Sequence, residues 1–447
     1  MSDTVTTSKF EWSDLVKKED WWAIWLGFIV LLLSFISSTT GAFKFKAAKL
    51  GTWGTEKAPS ILDSFSGILP SLLFTLIVLG ALFAIGLKVM GKDVGKFVMA
   101  FPVVFILSTI AYLFAANAGI KNYLGYAFWA LGLGLLVSNT VKTPEWLKPA
   151  VMTEYYIKTG LVLLGAGILF SNIVAFGIYG LGIAWLVTPV VVIFMWYYGT
   201  RVLKMVSKPM VIVIATATSV CGVSAAIAAA AASKAKKDDL TFAIGLTLIF
   251  TVLMMIGMPL IIKAVGMDPM IGGAWMGGTI DATGAVVLAG EALGPVAAQV
   301  AAMVKMIQNV LIGVIAFAIA VFWVTKVEKD EDGPAVGASE IWHRFPKFIL
   351  GFIAASVIFS FIVEPAMGTK ATKGVLDLAK GFRGWCFCLA FTCIGLESNF
   401  KEMAELVQGG KPLWLYIVGQ SFNLVLTLLV AWLLLSGVIF PIPQLTV

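Results

Sequence analysis

Charge is what this 447-residue chain has least of. Only 13% of its residues are Asp, Glu, Lys or Arg, against roughly 25% in a soluble domain, so it lacks the polar surface that a water-borne fold needs. Histidine is almost missing. The single one, His343, lies in a charged stretch, where alone it builds neither a catalytic triad nor a zinc site. That argues against most membrane hydrolases and metalloenzymes. The four cysteines, Cys221, Cys386, Cys388 and Cys393, all fall in apolar segments. Cys-x-Cys without histidine nearby is not a metal spacing, so they read as small, reduced core residues. No secretory leader is expected either. The start, MSDTVTTSKFEWSDLVKKEDWW, mixes acids and lysines and has no short apolar run before a small-residue cleavage site. The first apolar run should therefore stay as an anchor.

Apolar residues dominate instead, at 60%, and they come in runs of the ~20 residues that a helix needs to span a bilayer. The expected spans are Trp21–Thr39, Gly67–Leu87, Phe97–Ala115, Tyr123–Ser138, Ile157–Phe170, Val174–Tyr198, Leu240–Ile262, Pro295–Val324, Phe348–Val363, Phe382–Glu397 and Leu413–Phe440. The fold class is all-α: a polytopic membrane protein of about eleven transmembrane helices. The net charge of +7 gathers in short loops, which suits an anionic cytoplasmic leaflet. No basic patch with interleaved aromatics points to nucleic acid.

Two further segments, Met210–Ser233 and Ile271–Glu291, are rich in Gly, Ala, Ser and Thr, and each is broken near its middle by a small polar cluster. If Met210–Ser233 crossed the membrane, the basic loops RVLKMVSK and SKAKKDD would lie on opposite sides. If it enters and returns, both lie inside, as the positive-inside rule prefers. Ile271–Glu291 must then do the same from outside. The expectation is two re-entrant hairpins, with the N-terminus cytoplasmic.

The two segments also match each other. SVCGVSAAIAA from Ser219 aligns with TIDATGAVVLA from Thr279, so that Ser219 faces Thr279 and Cys221 faces Asp281. A second echo joins LLGAGILFSNIVAF (163–176) to FTCIGLESNFKEM (391–403). Inverted repeats with discontinuous helices are the signature of secondary transporters, whose sites form at the midplane. Half-helix N-termini there present free N–H groups and partial positive charge to an anion.

TSVCGVSAAIAA and GGTIDATGAVVLAG, with GLVLLGAGILFSNIVAFG, MVKMIQNVLIG and CIGLESNF, resemble the signatures of the sulfate exporter family, the YeiH-like (UPF0324-type) membrane proteins. The likeness runs from about Leu131 to Ser436. GTWGTEKAPSILDSF in the N-terminal part resembles a longer branch of the family. The resemblance implies an elevator-like, inverted-repeat fold of the cation–proton antiporter and anion transporter superfamily, and a sulfate or sulfonate class of substrate. Family members often carry His at the position of Asp281 and a basic residue at that of Gln308, so substrate and coupling ion are expected to differ from those of the short members.

The candidate substrate-binding residues are Thr218, Ser219, Cys221, Gly222 and Ser224 in the first break, Gly278, Thr279 and Thr283 in the second, and Lys305 and Asn309 in AAMVKMIQNV. Lys305, Gln308 and Asn309 share one helix face. The alternatives are a small-residue packing interface and a lysine snorkelling to the membrane surface. Asp281 is the candidate ion-coupling residue. A carboxylate at bilayer depth costs ~2.5–3.5 kcal/mol on insertion scales, so it should be paired, protonated or functional. It would carry H⁺, or Na⁺ together with Thr279, or else form a structural ion pair with Lys305. Asn139, Asn172, Glu397 and Asn399 end helices near the repeat boundaries, as ligands or as caps.

The expected organisation is a cytoplasmic segment 1–20, accessory helices 21–130, a first core half 131–325 with hairpins 210–233 and 271–291, a cytoplasmic linker 326–345, and second-half helices 346–447. The expected function is secondary transport of a small anion across a bacterial inner membrane by alternating access, coupled to H⁺ or Na⁺, without catalysis. No cofactor beyond the coupling ion is implied. The expected partners are the solute, the bilayer and a second copy of the chain in a homodimer. The competing readings are a cation/proton antiporter and a sodium-pump-like subunit of a decarboxylase complex.

Overall fold

A computed structural model describes residues 13–56, 58–61, 67–119, 125–168, 170–323, 327, 346–402 and 410–443. Among them the chain is helical, and the only β-pairing is in isolated bridges. In order, the helices are α1 (Glu19–Thr40), α2 (Leu69–Val89), α3 (Val94–Ala115), α4 (Tyr126–Thr140) and α5 (Thr153–Ala166). Next come α6 (Phe170–Leu181) and α7 (Val187–Tyr197), joined through a π-helical turn at Gly182–Leu186. Then come α8 (Lys208–Ser219), α9 (Gly222–Ala232), α10 (Lys237–Ala264), α11 (Pro269–Thr279), α12 (Thr283–Leu293) and α13 (Pro295–Phe322). The last are α14 (Phe348–Ile358), α15 (Thr369–Glu397) and α16 (Lys411–Leu435). The expected linker 326–345, with His343, lies outside the described residues apart from Val327.

Among the described residues, eight helices are long and apolar enough to cross a membrane: Glu19–Thr40, Leu69–Val89, Val94–Ala115, Phe176–Val202, Asp238–Ala264, Pro295–Phe322, Phe348–Met367 and Lys411–Leu435. Three of the eleven expected spans differ in kind. In place of the spans expected at 123–138 and 157–170, the described residues form Tyr126–Thr140 and Thr153–Ala166, of 15 and 14 residues. Phe382–Glu397 is the apolar half of α15, whose first half carries Lys370, Lys373, Asp377 and Lys380.

Those three helices pack as one unit through glycine. A Cβ on Gly134 would stand 2.8 Å from the Gly395 Cα, and one on Gly395 would stand 2.7 Å from the Gly134 Cα. Backbones thus touch where α4 runs alongside α15, a contact only glycine permits. The adjoining Ser-Asn pairs then clasp each other. Ser138 Oγ donates to the Gly395 carbonyl at 2.8 Å, Asn139 Nδ2 donates to the Ser398 carbonyl at 2.9 Å, and Asn399 Nδ2 donates to the Ser138 carbonyl. Asn139 and Asn399 therefore serve as reciprocal caps of two helix ends, and Glu397 accepts from Thr153 Oγ1 at 2.9 Å. The side chain of Asn172 lies outside the described residues.

Polar and charged residues at one end of the bundle cluster. Lys158 is 2.9 Å from Asp20 and 3.5 Å from Glu19, and Lys92 is 3.2 Å from Glu19. Asp20 also accepts the Lys347 backbone N–H at 2.9 Å. The starts of α1, α3, α5 and α14 therefore share one face.

Capping residues set the boundaries of the small-residue helices. Ser207 caps α8 by accepting the Met210 N–H at 3.2 Å, and Asp268 caps α11 by accepting the Met270 N–H at 2.8 Å. Each is followed by proline at the helix start, where its missing donor is not needed. Helix α10, 28 residues long and thus about 42 Å from end to end, is a ruler against which its neighbours can be placed. At its beginning, Ser207 Oγ donates to Asp239 at 2.8 Å, so the base of α8 adjoins the base of α10. A Cβ on Gly222, at the start of α9, would lie 2.5 Å from Thr247 Cγ2. Coming from the other end, a Cβ on Gly272 would lie 2.8 Å from Ile262 Cγ2, and Thr279 Oγ1 is 3.5 Å from Met258 Sδ. The pairs α8–α9 and α11–α12 thus approach the middle of α10 from its two ends.

The second pair returns to the level it left. A Cβ on Gly273 in α11 would lie 2.7 Å from the Ala297 carbonyl, and one on Gly290 in α12 would lie 2.7 Å from Ala298 Cα.

Candidate functional site

Two helix breaks, at Val220–Cys221 and Ile280–Ala282, meet in the middle of the bundle. A Cβ built on Gly222 would stand 3.1 Å from the Asp281 carbonyl oxygen, and Gly222 has φ +49°, a conformation natural to glycine. Each break leaves two sets of backbone groups to be satisfied. The last carbonyls of one half-helix and the first N–H groups of the next lose their intrahelical partners, and a buried backbone polar group left unsatisfied costs about as much as a lost hydrogen bond.

The carbonyls are satisfied by side chains from α7, α13 and α16. Asn423 Nδ2 donates to Thr218 O at 3.3 Å, and Thr188 Oγ1 donates to Ser219 O at 3.1 Å. Lys305 Nζ donates to Val220 O at 2.8 Å. Gln308 Nε2 donates to both Ser219 O (2.9 Å) and Gly278 O (3.1 Å), so a single carboxamide ties the two breaks together. Gln420 Nε2 completes the set at Thr279 O, 2.9 Å away. Lys305 Nζ also donates to Gln308 Oε1.

The helix starts are treated differently. Neither Cys221 before α9 nor Ala282 before α12 receives a side-chain cap, although the outer starts of α8 and α11 are capped. The positive ends of two helix dipoles are therefore left open at the centre, while the negative ends are covered by amide and ammonium donors. The accessible positions lie at these open starts. Ser224 is exposed and Val223, Ala282 and Thr283 are partly accessible, whereas Thr218, Ser219, Thr279 and Asp281 are buried. The arrangement can hold an anion by backbone N–H groups with the Lys305 ammonium close by.

Several candidate residues contribute through different atoms than the sequence suggests. The hydroxyls of Thr218, Ser219 and Thr279 donate back to Ile214 O, Ala215 O and Trp275 O at 2.6–2.8 Å. Their carbonyls, not their hydroxyls, face the crossing, as is common for Ser and Thr inside helices. Gly278 is needed for fit, since a Cβ there would stand 2.6 Å from Thr427 Cγ2. Thr283 Oγ1 accepts from Asn309 Nδ2 at 3.1 Å. Cys221 sits at the first break, 9% exposed.

Asp281 and Lys305 do not form the ion pair that was one alternative. Lys305 is engaged with Val220 and Gln308, and Asp281 Oδ2 accepts from the Tyr416 hydroxyl. Asp281 Oδ1 has no partner among the described residues. Both groups are 1% exposed, so Lys305 is not snorkelling to a membrane surface.

Besides Thr188 on α7, the residues that sequence reasoning missed lie on α16. Tyr416, Gln420, Asn423 and Thr427 are spaced four, three and four apart in the apolar run LWLYIVGQSFNLVLT. That is one helix face, and it holds the Asp281, Thr279 and Thr218 ends of the two breaks. The spacing was a readable signal.

A family model described as "Conserved hypothetical protein 698" matches residues 99–416, a region that contains both breaks and ends at Tyr416. The chain is 52% identical over 394 residues to a UPF0324 membrane protein of Rhodopirellula baltica, covering 88% of this chain and 72% of that one. It is 54% identical over 407 residues to a UPF0324 membrane protein of Nitratidesulfovibrio vulgaris, covering 88% and 70%. With the UPF0324 inner membrane protein YeiH of Salmonella typhi it shares 24% identity over 316 residues, 68% of this chain and 86% of that one. No solved structure matches the chain.

Proposed function

The chain belongs to the UPF0324 membrane protein family, and from that premise and the geometry of the crossing we propose that it is a secondary transporter of a small anion, sulfate or sulfonate in class. The observation that carries the proposal is the unequal treatment of the breaks. Carbonyl ends are capped by Gln308, Gln420, Asn423 and Lys305, while the starts of α9 and α12 stay uncapped. Helix starts without a side-chain cap at the centre of the bundle, beside the Lys305 ammonium, are where an anion would be held.

In this reading the pairs α8–α9 and α11–α12 are re-entrant hairpins of two inverted repeats, within about eleven spans. The Ser207–Asp239 bond supports it by joining the bases of α8 and α10, so both basic loops lie on one side. The cluster around Asp20 supports a common, cytoplasmic face for the starts of α1, α3, α5 and α14. The membrane is a bacterial inner membrane, and the hairpin-bearing part moves by an elevator-like alternating access. Asp281 couples transport to an ion.

A cation/proton antiporter is the second reading, favoured by the unpartnered Asp281 Oδ1. Labelled sulfate and labelled taurine-like sulfonate flux into proteoliposomes, with and without imposed pH and Na⁺ gradients, separates the two. Gradient-driven anion uptake supports anion transport. Dissipation of an imposed pH gradient by added cation, with no anion movement, supports the antiporter and overturns the anion reading.

A further inference from the structure

Three oxygens around the second break lack a donor among the described residues: Asp281 Oδ1, Asn309 Oδ1 and Gln420 Oε1. Their residues are 1%, 1% and 3% exposed, so bulk water does not serve them. All three side chains are held at the same five-residue segment by their other polar atom. Gln420 Nε2 donates to Thr279 O at 2.9 Å, the Tyr416 hydroxyl donates to Asp281 Oδ2, and Asn309 Nδ2 donates to Thr283 Oγ1 at 3.1 Å. The orientation of Gln420 is fixed, because a carbonyl can only accept and the amide must present its nitrogen to it. Its Oε1 is left as a spare acceptor by necessity. Tyr416 and Gln420 stand one turn apart on α16, so both reach the segment from the same face.

Buried acceptors without donors are costly, and their grouping asks for a shared partner. A proton on Asp281 Oδ1 bridges to one neighbouring oxygen at most and leaves the other bare. A hard cation serves several oxygens together. One carboxylate with neutral amide oxygens balances a single positive charge. A divalent ion would add uncompensated charge beside the Lys305 ammonium and two positive helix ends. We propose that Asp281, Gln420 and Asn309 form a sodium-ion site on the second break, in which Gln420 Oε1 is a direct ligand. This deepens the transport reading and rests on it: sodium, not a proton alone, is the coupling ion that Asp281 carries. Sodium seated here would also screen Asp281 from an anion bound at the neighbouring helix starts, so each ion would favour the other.

The test is sodium binding by the purified full-length chain in detergent, read without transport. Equilibrium binding of radioactive sodium and the thermal unfolding midpoint are measured in sodium, potassium or choline gluconate at equal ionic strength. The expected result is saturable sodium binding, with a midpoint raised by sodium and not by choline. Gln420→Ala and Asn309→Ala should each weaken sodium binding roughly tenfold or more, the scale for disturbing a metal's surroundings, and Asp281→Asn should abolish it. Identical midpoints in all three salts with no saturable binding by the wild type overturn the proposal, and that arm needs no variant to fold. Undiminished binding by a folded Gln420→Ala chain overturns the site as drawn. Anion flux on a proton gradient without sodium binding defeats this inference alone, and sodium binding without anion flux defeats the anion-transport reading alone.

Discussion

Gly222 in the first break faces Asp281 in the second so closely that a Cβ on the glycine would stand 3.5 Å from the Asp281 Cβ and 3.1 Å from its carbonyl oxygen. One residue without a side chain thus sets how near the two breaks approach. It also holds a left-handed φ of +49°. Gly222→Ala places a methyl against Thr247 and Asp281 in a backbone conformation that alanine disfavours. The expected cost is roughly 1–3 kcal/mol from overpacking, seen as a lower thermal midpoint in detergent, with loss of anion flux. A variant of unchanged midpoint and flux would show that the breaks do not meet as described.

Gln308 is the only carboxamide among the described residues that bonds both breaks. Gln308→Leu keeps a similar size and removes the donors to Ser219 O and Gly278 O and the acceptor for Lys305. Ser219 O keeps its bond from Thr188 and Lys305 keeps its bond to Val220 O, so the loss falls on Gly278 O. A buried group left unsatisfied costs roughly 1–3 kcal/mol, and this variant should unfold at a lower temperature than Gln299→Leu, whose Oε1 already lacks a partner among the described residues. Equal midpoints for the two would contradict the bridging role.

The Ser207–Asp239 contact makes a topological prediction. Single cysteines placed at Lys204 and at Lys236, in a background without the four native cysteines, should react with a membrane-impermeant thiol reagent from the same face. Reaction from opposite faces would remove the hairpin formed by α8 and α9.

Burial at the start of α14 pushes the Lys347 ammonium down to about 8, with the Asp20 carboxylate opposing the shift. In the unfolded chain lysine titrates near ~10.4, so between these two values the unfolded state binds more protons. Stability from this group should therefore rise as pH climbs from 8 towards 10. Lys347→Met should flatten that part of the midpoint-versus-pH curve, whereas an unchanged slope would assign it to other groups.

Much of this was legible in the sequence, and the gaps have physical causes. The two small-residue segments, their breaks and the face Lys305–Gln308–Asn309 stood out because polar residues are rare in such an apolar chain. The face Tyr416–Gln420–Asn423–Thr427 carried the same kind of signal but stood in a run greasy enough to read as an ordinary span. Sequence could not say which atoms of Thr218, Ser219 and Thr279 face the site. That depends on helix ends, where a hydroxyl that bonds back to its own turn leaves the carbonyl facing the crossing. The close approach of α4 to α15 rests on Gly134 and Gly395, a contact that a hydropathy pattern does not reveal.

The central claim is that an anion binds at the open starts of α9 and α12, reached alternately from the two sides. Ser224, the exposed residue in the first turn of α9, reports on it directly. In proteoliposomes lacking the native cysteines, the rate at which Ser224→Cys reacts with an impermeant thiol reagent is measured from each face, with sulfate, a sulfonate or gluconate present. The account predicts that sulfate or the sulfonate slows the reaction, and that reversing the ion gradient changes the face from which the cysteine is reached. A rate indifferent to the anion, from one face under every gradient, would contradict it.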